Sequence, residues 1–185
     1  MLTVNFNPFP VLETERLRLR QIIEDDKQEI FALRSNKDIM NYVPRPLMTS
    51  MDEAVAHIKM ITENIEKQEF INWGMTLKAD NKLMGVIGFY RMQKENYRAE
   101  VGYMLHTQFH KQGIMQEAIT AVVEYGFTQM KLHSIEAVID PRNTASENVL
   151  IRGGFVKEAH LKENFFYGGE FLDSVHYALL AKENN

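Results

Sequence analysis

The residues best suited to do chemistry lie between Glu100 and Phe155. A strand, Ala99-Glu100-Val101-Gly102-Tyr103-Met104-Leu105, runs into the loop His110-Lys111-Gln112-Gly113-Ile114-Met115, and a long amphipathic helix follows. Gly113 falls where the loop becomes that helix. Exposed N–H groups at a helix start, aided by the helix dipole, bind anions, and Lys111 adds a positive charge at the same spot. After a second strand, Ile135 to Ile139, the segment Asn143-Thr144-Ala145-Ser146 opens a short helix that Gly153-Gly154-Phe155 closes. Thr144 with Glu147 has the form of a capping box, and Asn143 that of a plain cap. Neither explains Ser146, whose first-turn hydroxyl can point along the strand ends. The arrangement suits an enzyme that holds a phosphorylated carrier. The glycine pattern is neither a Walker loop nor a dinucleotide fingerprint.

The elements that must position these residues are legible in the periodicity. Residues 14–22 alternate, with Leu17, Leu19 and Gln21 on one face and Arg16, Arg18 and Arg20 on the other, as in a half-buried strand. The acids Glu24-Asp25-Asp26 open a helix carrying Ile30, Phe31 and Leu33, on the favourable side of its dipole. Ser50-Met51-Asp52-Glu53 reads as a capping box for a helix whose Val55, Ile58, Ile61, Thr62 and Ile65 share a face. Strands over about 71–78 and 82–90 flank the turn Ala79-Asp80-Asn81-Lys82, a strand over 98–106 follows, and a last hairpin turns at Tyr167-Gly168-Gly169. The order is β-α-α-β-β-β-α-β-α-β-β. Short turns join the early strands into an antiparallel sheet, whereas a crossover through the helix at 112–131, with Ala118, Ile119, Val122, Val123 and Phe127 on its buried stripe, demands a parallel pair. The fold class is α+β, with a mixed, mostly antiparallel sheet.

The 185 residues contain no repeat, low-complexity tract or linker, which fits one domain with a core over about 12–180. No apolar run approaches about 18 residues, so no membrane span is expected, and the N-terminal segment lacks the features of a secretory signal. With no cysteine, disulfides, thiolate metal sites and a cysteine nucleophile are excluded. The simplest location is cytoplasmic. A net charge of −4 argues against nonspecific nucleic-acid binding. It suits a cationic partner such as an amine, although solubility explains the global figure as well. The six histidines form no recognisable metal site, and only His106, near a strand end, stands out. Tyr42, Tyr90, Tyr103 and Trp73 read as core or cleft-wall aromatics, with Trp73 placed to shape an acceptor pocket.

These segments, together with Leu12-Glu13-Thr14-Glu15-Arg16-Leu17-Arg18-Leu19-Arg20 and Gly169-Glu170-Phe171-Leu172-Asp173-Ser174-Val175-His176-Tyr177, resemble the GNAT superfamily of N-acetyltransferases, and more narrowly its RimJ/RimL-like branch acting on ribosomal-protein N-termini. The likeness spans nearly the whole chain. It implies acetyl-CoA as donor and a primary amine as acceptor; no metal is expected, since the histidines form no recognisable site. By the resemblance, the loop His110, Lys111, Gln112, Gly113, Ile114 and Met115 holds the CoA pyrophosphate through backbone N–H groups. Met104 and Leu105, on a splayed strand, pair with the pantetheine, which Asn143 also contacts. The loop departs from the family pattern Gln/Arg-x-x-Gly-x-Gly/Ala in three places: His110 stands for the glutamine or arginine, Met115 adds bulk where a small residue is usual, and Lys111 replaces a glycine common in this branch. Where many relatives carry a tyrosine acid, this chain has Leu150, and Ser146 occupies the serine place of the RimJ/RimL-like branch.

Acetyl transfer needs a neutral amine, an activated thioester carbonyl and a stabilised thiolate. Glu100 shares a strand face with Gly102 and Met104, so it can border an acceptor cleft and accept the amine's proton through water; otherwise it is a structural charge paired with Arg98 or a lysine. Ser146 is the candidate donor to the thiolate, and a backbone N–H near Met104 or Leu105 is the candidate oxyanion donor, a contribution of roughly 3 kcal/mol elsewhere. The acceptor half of the site is expected to be acidic. The acceptor is a peptide α-amine or a small amine such as a polyamine or aminoglycoside. A silent acetyl-CoA-binding module is the competing class, against which the presence of both Glu100 and Ser146 counts. A homodimer is left open.

Overall fold

A computed structural model describes residues 1–181. Eight strands form one sheet: β1 (Leu12–Glu13), β2 (Leu17–Gln21), β3 (Ile71–Leu77), β4 (Asp80–Gln93), β5 (Arg98–Leu105), β6 (Ser134–Ile139), β7 (Val156–Tyr167) and β8 (Glu170–Leu180). Their spatial order is β1-β2-β3-β4-β5-β6-β8-β7. Every neighbouring pair is antiparallel except β5 and β6. The helices are α1 (Lys27–Ser35), α2 (Lys37–Met40), α3 (Met51–Glu66), α4 (Ile114–Thr128) and α5 (Thr144–Arg152). The mixed sheet expected from the crossover is therefore present, with β1 and the short α2 added to the element order.

The parallel pair is the feature that matters. Strand β6 pairs with β5 only over Arg98–Glu100, against Ser134–Glu136. Beyond Glu100 the two strands diverge, so the side of β5 facing β6 has no ladder partner from Val101 to Leu105. Unpaired backbone groups on such a margin are ready to accept an added strand.

Strand alternation assigns the faces. A Cβ at Gly126 of α4 would touch Phe89 and Ile135, so these two face α4. Phe89 stands opposite Val101 and Tyr90 opposite Glu100. Val101 and Tyr103 thus share the α4 face, while Tyr90 and Glu100 look toward α1 and α3. Both faces are packed with buried apolar side chains, among them Trp73, Phe89, Ile87 and Met75 at 0% exposure. A large apolar side chain buried in this way contributes about 1.5–3 kcal/mol.

Several local expectations are corrected. Asp26 does not serve the α1 dipole; its carboxylate accepts from the Ile23 N–H at 2.9 Å and pairs with both terminal nitrogens of Arg20 at 2.7 and 2.8 Å. Arg20 is accordingly drawn inward instead of lying on an open face. At α3 the Ser50 hydroxyl accepts from the Glu53 N–H, but the Glu53 carboxylate goes to Thr49 instead of closing the box. Ala54, not Val55, completes the buried stripe with Ile58, Ile61 and Ile65. The β3–β4 turn sits at Lys78-Ala79, so β4 starts two residues earlier than its turn signal suggests. Trp73 is fully buried, donating from Nε1 to the Pro10 carbonyl at 2.7 Å, and so does not shape a pocket. At the last hairpin Gly168 (φ 62) and Gly169 (φ 91) supply the two left-handed positions of a primed turn.

Candidate active site

A cavity of about 550 Å³ opens where β5 and β6 diverge and reaches both faces of the sheet. Its walls include Glu100, Gly102, Tyr103 and Met104 from β5, Asn143 and Ser146 from the start of α5, and Arg34, Arg45 and His57 from the α1/α3 side. The sequence-derived residues Glu100, Met104, Asn143 and Ser146 are brought together here. Leu105 closes β5, and its carbonyl lies 3.0 Å from Nε2 of His110. The loop is thereby tied to the strand end. His106 borders neither this cavity nor its neighbour.

The loop before α4 has the geometry of an anion cradle. Gly113 is left-handed (φ 76) and Lys111 is too (φ 60). A glycine costs nothing in that conformation, whereas a lysine costs about 1 kcal/mol. The first N–H groups of α4 have no acceptor within the helix, and a Cβ on Gly113 would meet only Arg16 Nη2, at 3.5 Å. Ile114 and Met115 turn their side chains into the core, leaving only backbone at the loop mouth, so the bulk of Met115 does not obstruct it. Gln112 folds back on Gln108 through its amide and offers its carbonyl to Arg16 Nη1 at 3.1 Å. Arg16 also pairs with Glu117 at 2.6 Å, strapping β2 to the first turn of α4. Its half-exposed guanidinium is a second positive charge at the cradle. Alternation placed Arg16 on a solvent face and gave no sign of this role.

At the second helix start, Asn143 is the cap, its Oδ1 accepting from the Ser146 N–H at 3.0 Å. Thr144 and Glu147 form no capping box, because the Glu147 carboxylate instead takes the Tyr177 hydroxyl at 2.5 Å. The Ser146 hydroxyl, in a residue only 8% exposed, lies 2.7 Å from the Tyr103 hydroxyl. This hydroxyl pair bridges the gap between the diverging strands. Burial pushes the Tyr103 phenol up to about 12, so it is a neutral donor at any ordinary pH. Tyr103, expected from sequence as a core or cleft-wall aromatic, does line the cavity; its hydroxyl contact to Ser146 is what no sequence pattern signals.

Glu100 stands on the opposite face. Its carboxylate accepts from Arg91 Nη1 at 2.7 Å, not from Arg98, which pairs with Glu136 at 3.0 Å. Burial raises the Glu100 pKa, outweighing the lowering by Arg91. Glu136, its register partner on β6, also lies 2.7 Å from His176 Nδ1, whose Nε2 is 3.2 Å from the Ser174 hydroxyl. A second cavity of about 510 Å³ shares Glu100, Arg91 and the Tyr42–Arg45 wall with the first. It continues past Ser174 and His176 to Phe165, Tyr167 and Leu172 of the last hairpin.

The cavity on this face is not the acidic cleft expected for the acceptor half. Glu100 is held by Arg91 and Asp140 by Arg142, while Arg34 and Arg45 pair with no carboxylate among the described residues. The buried Nε of Arg34 and Oδ1 of Asn72 lack hydrogen-bond partners. His57 is held down to about 4 by burial and by the Arg34 charge, so its imidazole is neutral.

The cavity between the diverging strands thus holds a carboxylate, Glu100, and a buried hydroxyl pair, and the loop before α4 lies beyond the end of β5. Residues 16–156 match the family described as acetyltransferase (GNAT) domain. The uncharacterized N-acetyltransferase YoaA of Bacillus subtilis is 34% identical over 172 residues, covering 93% of this chain and 97% of that protein. A spermidine N(1)-acetyltransferase of Vibrio cholerae is 26% identical, covering 85% of this chain and 89% of that one. The solved structure of a putative ribosomal-protein-serine acetyltransferase from Vibrio cholerae superposes with a TM-score of 0.82 at 26% identity, covering 94% of this chain and 99% of that one. Divergent parallel strands, a helix start with free backbone donors and these likenesses lead to one conclusion: the chain belongs to the GNAT acetyltransferases and is an acetyl-CoA-dependent N-acetyltransferase.

Proposed function

We propose that the acceptor is the N-terminal α-amine of a protein or peptide, which attacks the acetyl thioester directly in a ternary complex in the cytoplasm. The observation that carries this reading is the length of the acceptor groove. The two cavities share walls and run together from the sheet centre to the last hairpin, farther than a small amine requires. An extended peptide end fits such a trough.

In this reading the pyrophosphate rests on the N–H groups of Gly113, Ile114 and Met115, with Lys111, Arg16 and the polar His110–Gln112 segment around it. The pantetheine adds along Met104 and Leu105, and Asn143, with its Oδ1 spent on the cap, offers its amide NH₂. Glu100 takes the proton of the amine, directly or through water, and its raised pKa makes it a stronger base than an exposed glutamate. Nitrogen attacks the thioester carbon, a β5 backbone N–H stabilises the oxyanion, and the C–S bond breaks. Ser146 donates to the departing sulfur, and one net proton leaves through the acceptor groove.

A small amine is the second reading, favoured by the likeness to a spermidine acetyltransferase. Turnover of acetyl-CoA, read as thiol release, against N-terminal peptides, spermidine and aminoglycosides decides between them. Peptide turnover well above the small amines is expected; turnover confined to spermidine or an aminoglycoside overturns the peptide reading.

A further inference from the structure

Arg34 and Arg45 are the unusual feature of the acceptor cavity. Arg34 projects from α1 and Arg45 from the loop between α2 and α3, a loop fixed to α1 by the Met48 N–H donating to the Arg34 carbonyl at 3.0 Å. Both line the wall that Tyr90 and Glu100 complete, on the α1/α3 face, away from the pyrophosphate cradle. Neither has a carboxylate partner among the described residues, because the cavity's two acids, Glu100 and Asp140, are held by Arg91 and Arg142. The Arg34 Nε is buried with no hydrogen-bond acceptor among the described residues. The neighbouring His57 is neutral and offers no negative charge.

Two guanidinium groups facing one cavity, one of them partly dehydrated, repel each other unless an anion lies between them. The guanidinium fork fits a carboxylate in bidentate fashion. We propose that the acceptor carries a carboxylate close to its reactive amine, and that Arg34 and Arg45 bind it while Glu100 receives the amine. The inference rests on the reading above only in taking Glu100 to mark the place of the amine. The carboxylate can come from an acidic residue next to the N-terminus of a peptide or from a free amino acid. A polyamine, which is cationic along its length, meets like charge on this wall.

The test compares peptides beginning Ser-Glu, Ser-Gln and Ser-Lys with free glutamate and spermidine. The wild-type protein should favour the Ser-Glu peptide over Ser-Lys by about 10-fold or more in kcat/KM, the scale expected for one charge pair exchanged for like-charge contact. Arg34→Gln should abolish most of that preference. Arg45→Glu, at an exposed position where folding is not at stake, should reverse it. Equal or better use of Ser-Lys, or of spermidine, by the wild type overturns the proposal, as does a preference unchanged in both variants. Peptide turnover without acid preference defeats this inference alone. Acetylation of free glutamate with no peptide turned over defeats the peptide reading alone. Were none of these amines turned over, calorimetric titration of the CoA-loaded protein with the same peptides decides, and binding of Ser-Glu no tighter than Ser-Lys refutes the anion site.

Discussion

Replacing Ser146 by alanine separates chemistry from architecture, because the structure already fills the bland role that a first-turn serine might have. The cap of α5 is supplied by Asn143 Oδ1 to the Ser146 N–H, so the hydroxyl is not needed to start the helix. Its partner is the Tyr103 hydroxyl at 2.7 Å, which has only a long alternative, 3.4 Å, to the Ser146 carbonyl. Ser146→Ala therefore leaves a buried phenol poorly satisfied, a loss of about 1–3 kcal/mol, or roughly 2–10 °C in midpoint for a chain of this size. If the same hydroxyl also donates to the thiolate, turnover should fall about 10- to 100-fold, equivalent to about 1.4–2.7 kcal/mol in the barrier. For Ser146 to point its hydrogen at sulfur, Tyr103 must be the donor within the pair, so Tyr103→Phe should also lower turnover. The double variant should be no slower than Ser146→Ala, and more stable than the sum of the two single losses. Thiol-release kinetics and thermal midpoints on the four proteins of this cycle provide the check. A lowered midpoint with wild-type turnover in Ser146→Ala would make the hydroxyl pair purely structural, and additive losses in turnover would show that the two groups act separately.

Gly113→Val forces a β-branched residue to φ 76, at about 1–2 kcal/mol of backbone strain, and crowds Arg16. CoA affinity should drop far more than the midpoint, and unchanged affinity of the folded variant by calorimetry would refute the cradle. Glu100→Gln should reduce turnover at neutral pH while acetyl-CoA affinity holds; full activity between about pH 6 and 8 would leave Glu100 as only the partner of Arg91. His57, whose folded pKa is depressed to about 4, contributes stability above its unfolded value of about 6.5 that is lost as pH falls through that window. Urea midpoints of the wild type should therefore decline more steeply with acid than those of His57→Leu, and parallel declines would contradict its neutral burial.

What the sequence by itself determined was local. Periodicity gave most of the strands and helices, though not β1 or α2, the crossover through 112–131 required a parallel pair, and a glycine before a helix marked a candidate anion cradle, because each of these depends on neighbours within a turn or a strand. The resemblance then pointed to Ser146 and Asn143, and strand alternation to Glu100, as candidates for one site. Tertiary structure decided which polar groups are spent on each other. Arg16, Arg18 and Arg20 look alike in an alternating strand. Folding sends Arg16 to Gln112 and Glu117, and Arg20 to a buried Asp26, across separations the pattern does not encode. Glu147 satisfies every local rule for a capping box, yet a tyrosine on another strand claims it. Tyr103 and Ser146 lie 43 residues apart, and among the described residues no acid pairs with Arg34, which its place on α1 could not foretell. Hydrogen bonding and charge pairing compete over the whole chain, so the chemistry of a side chain is settled by whichever partner the packed sheet brings within 3 Å of it, a distance that hydrogen-bond geometry enforces.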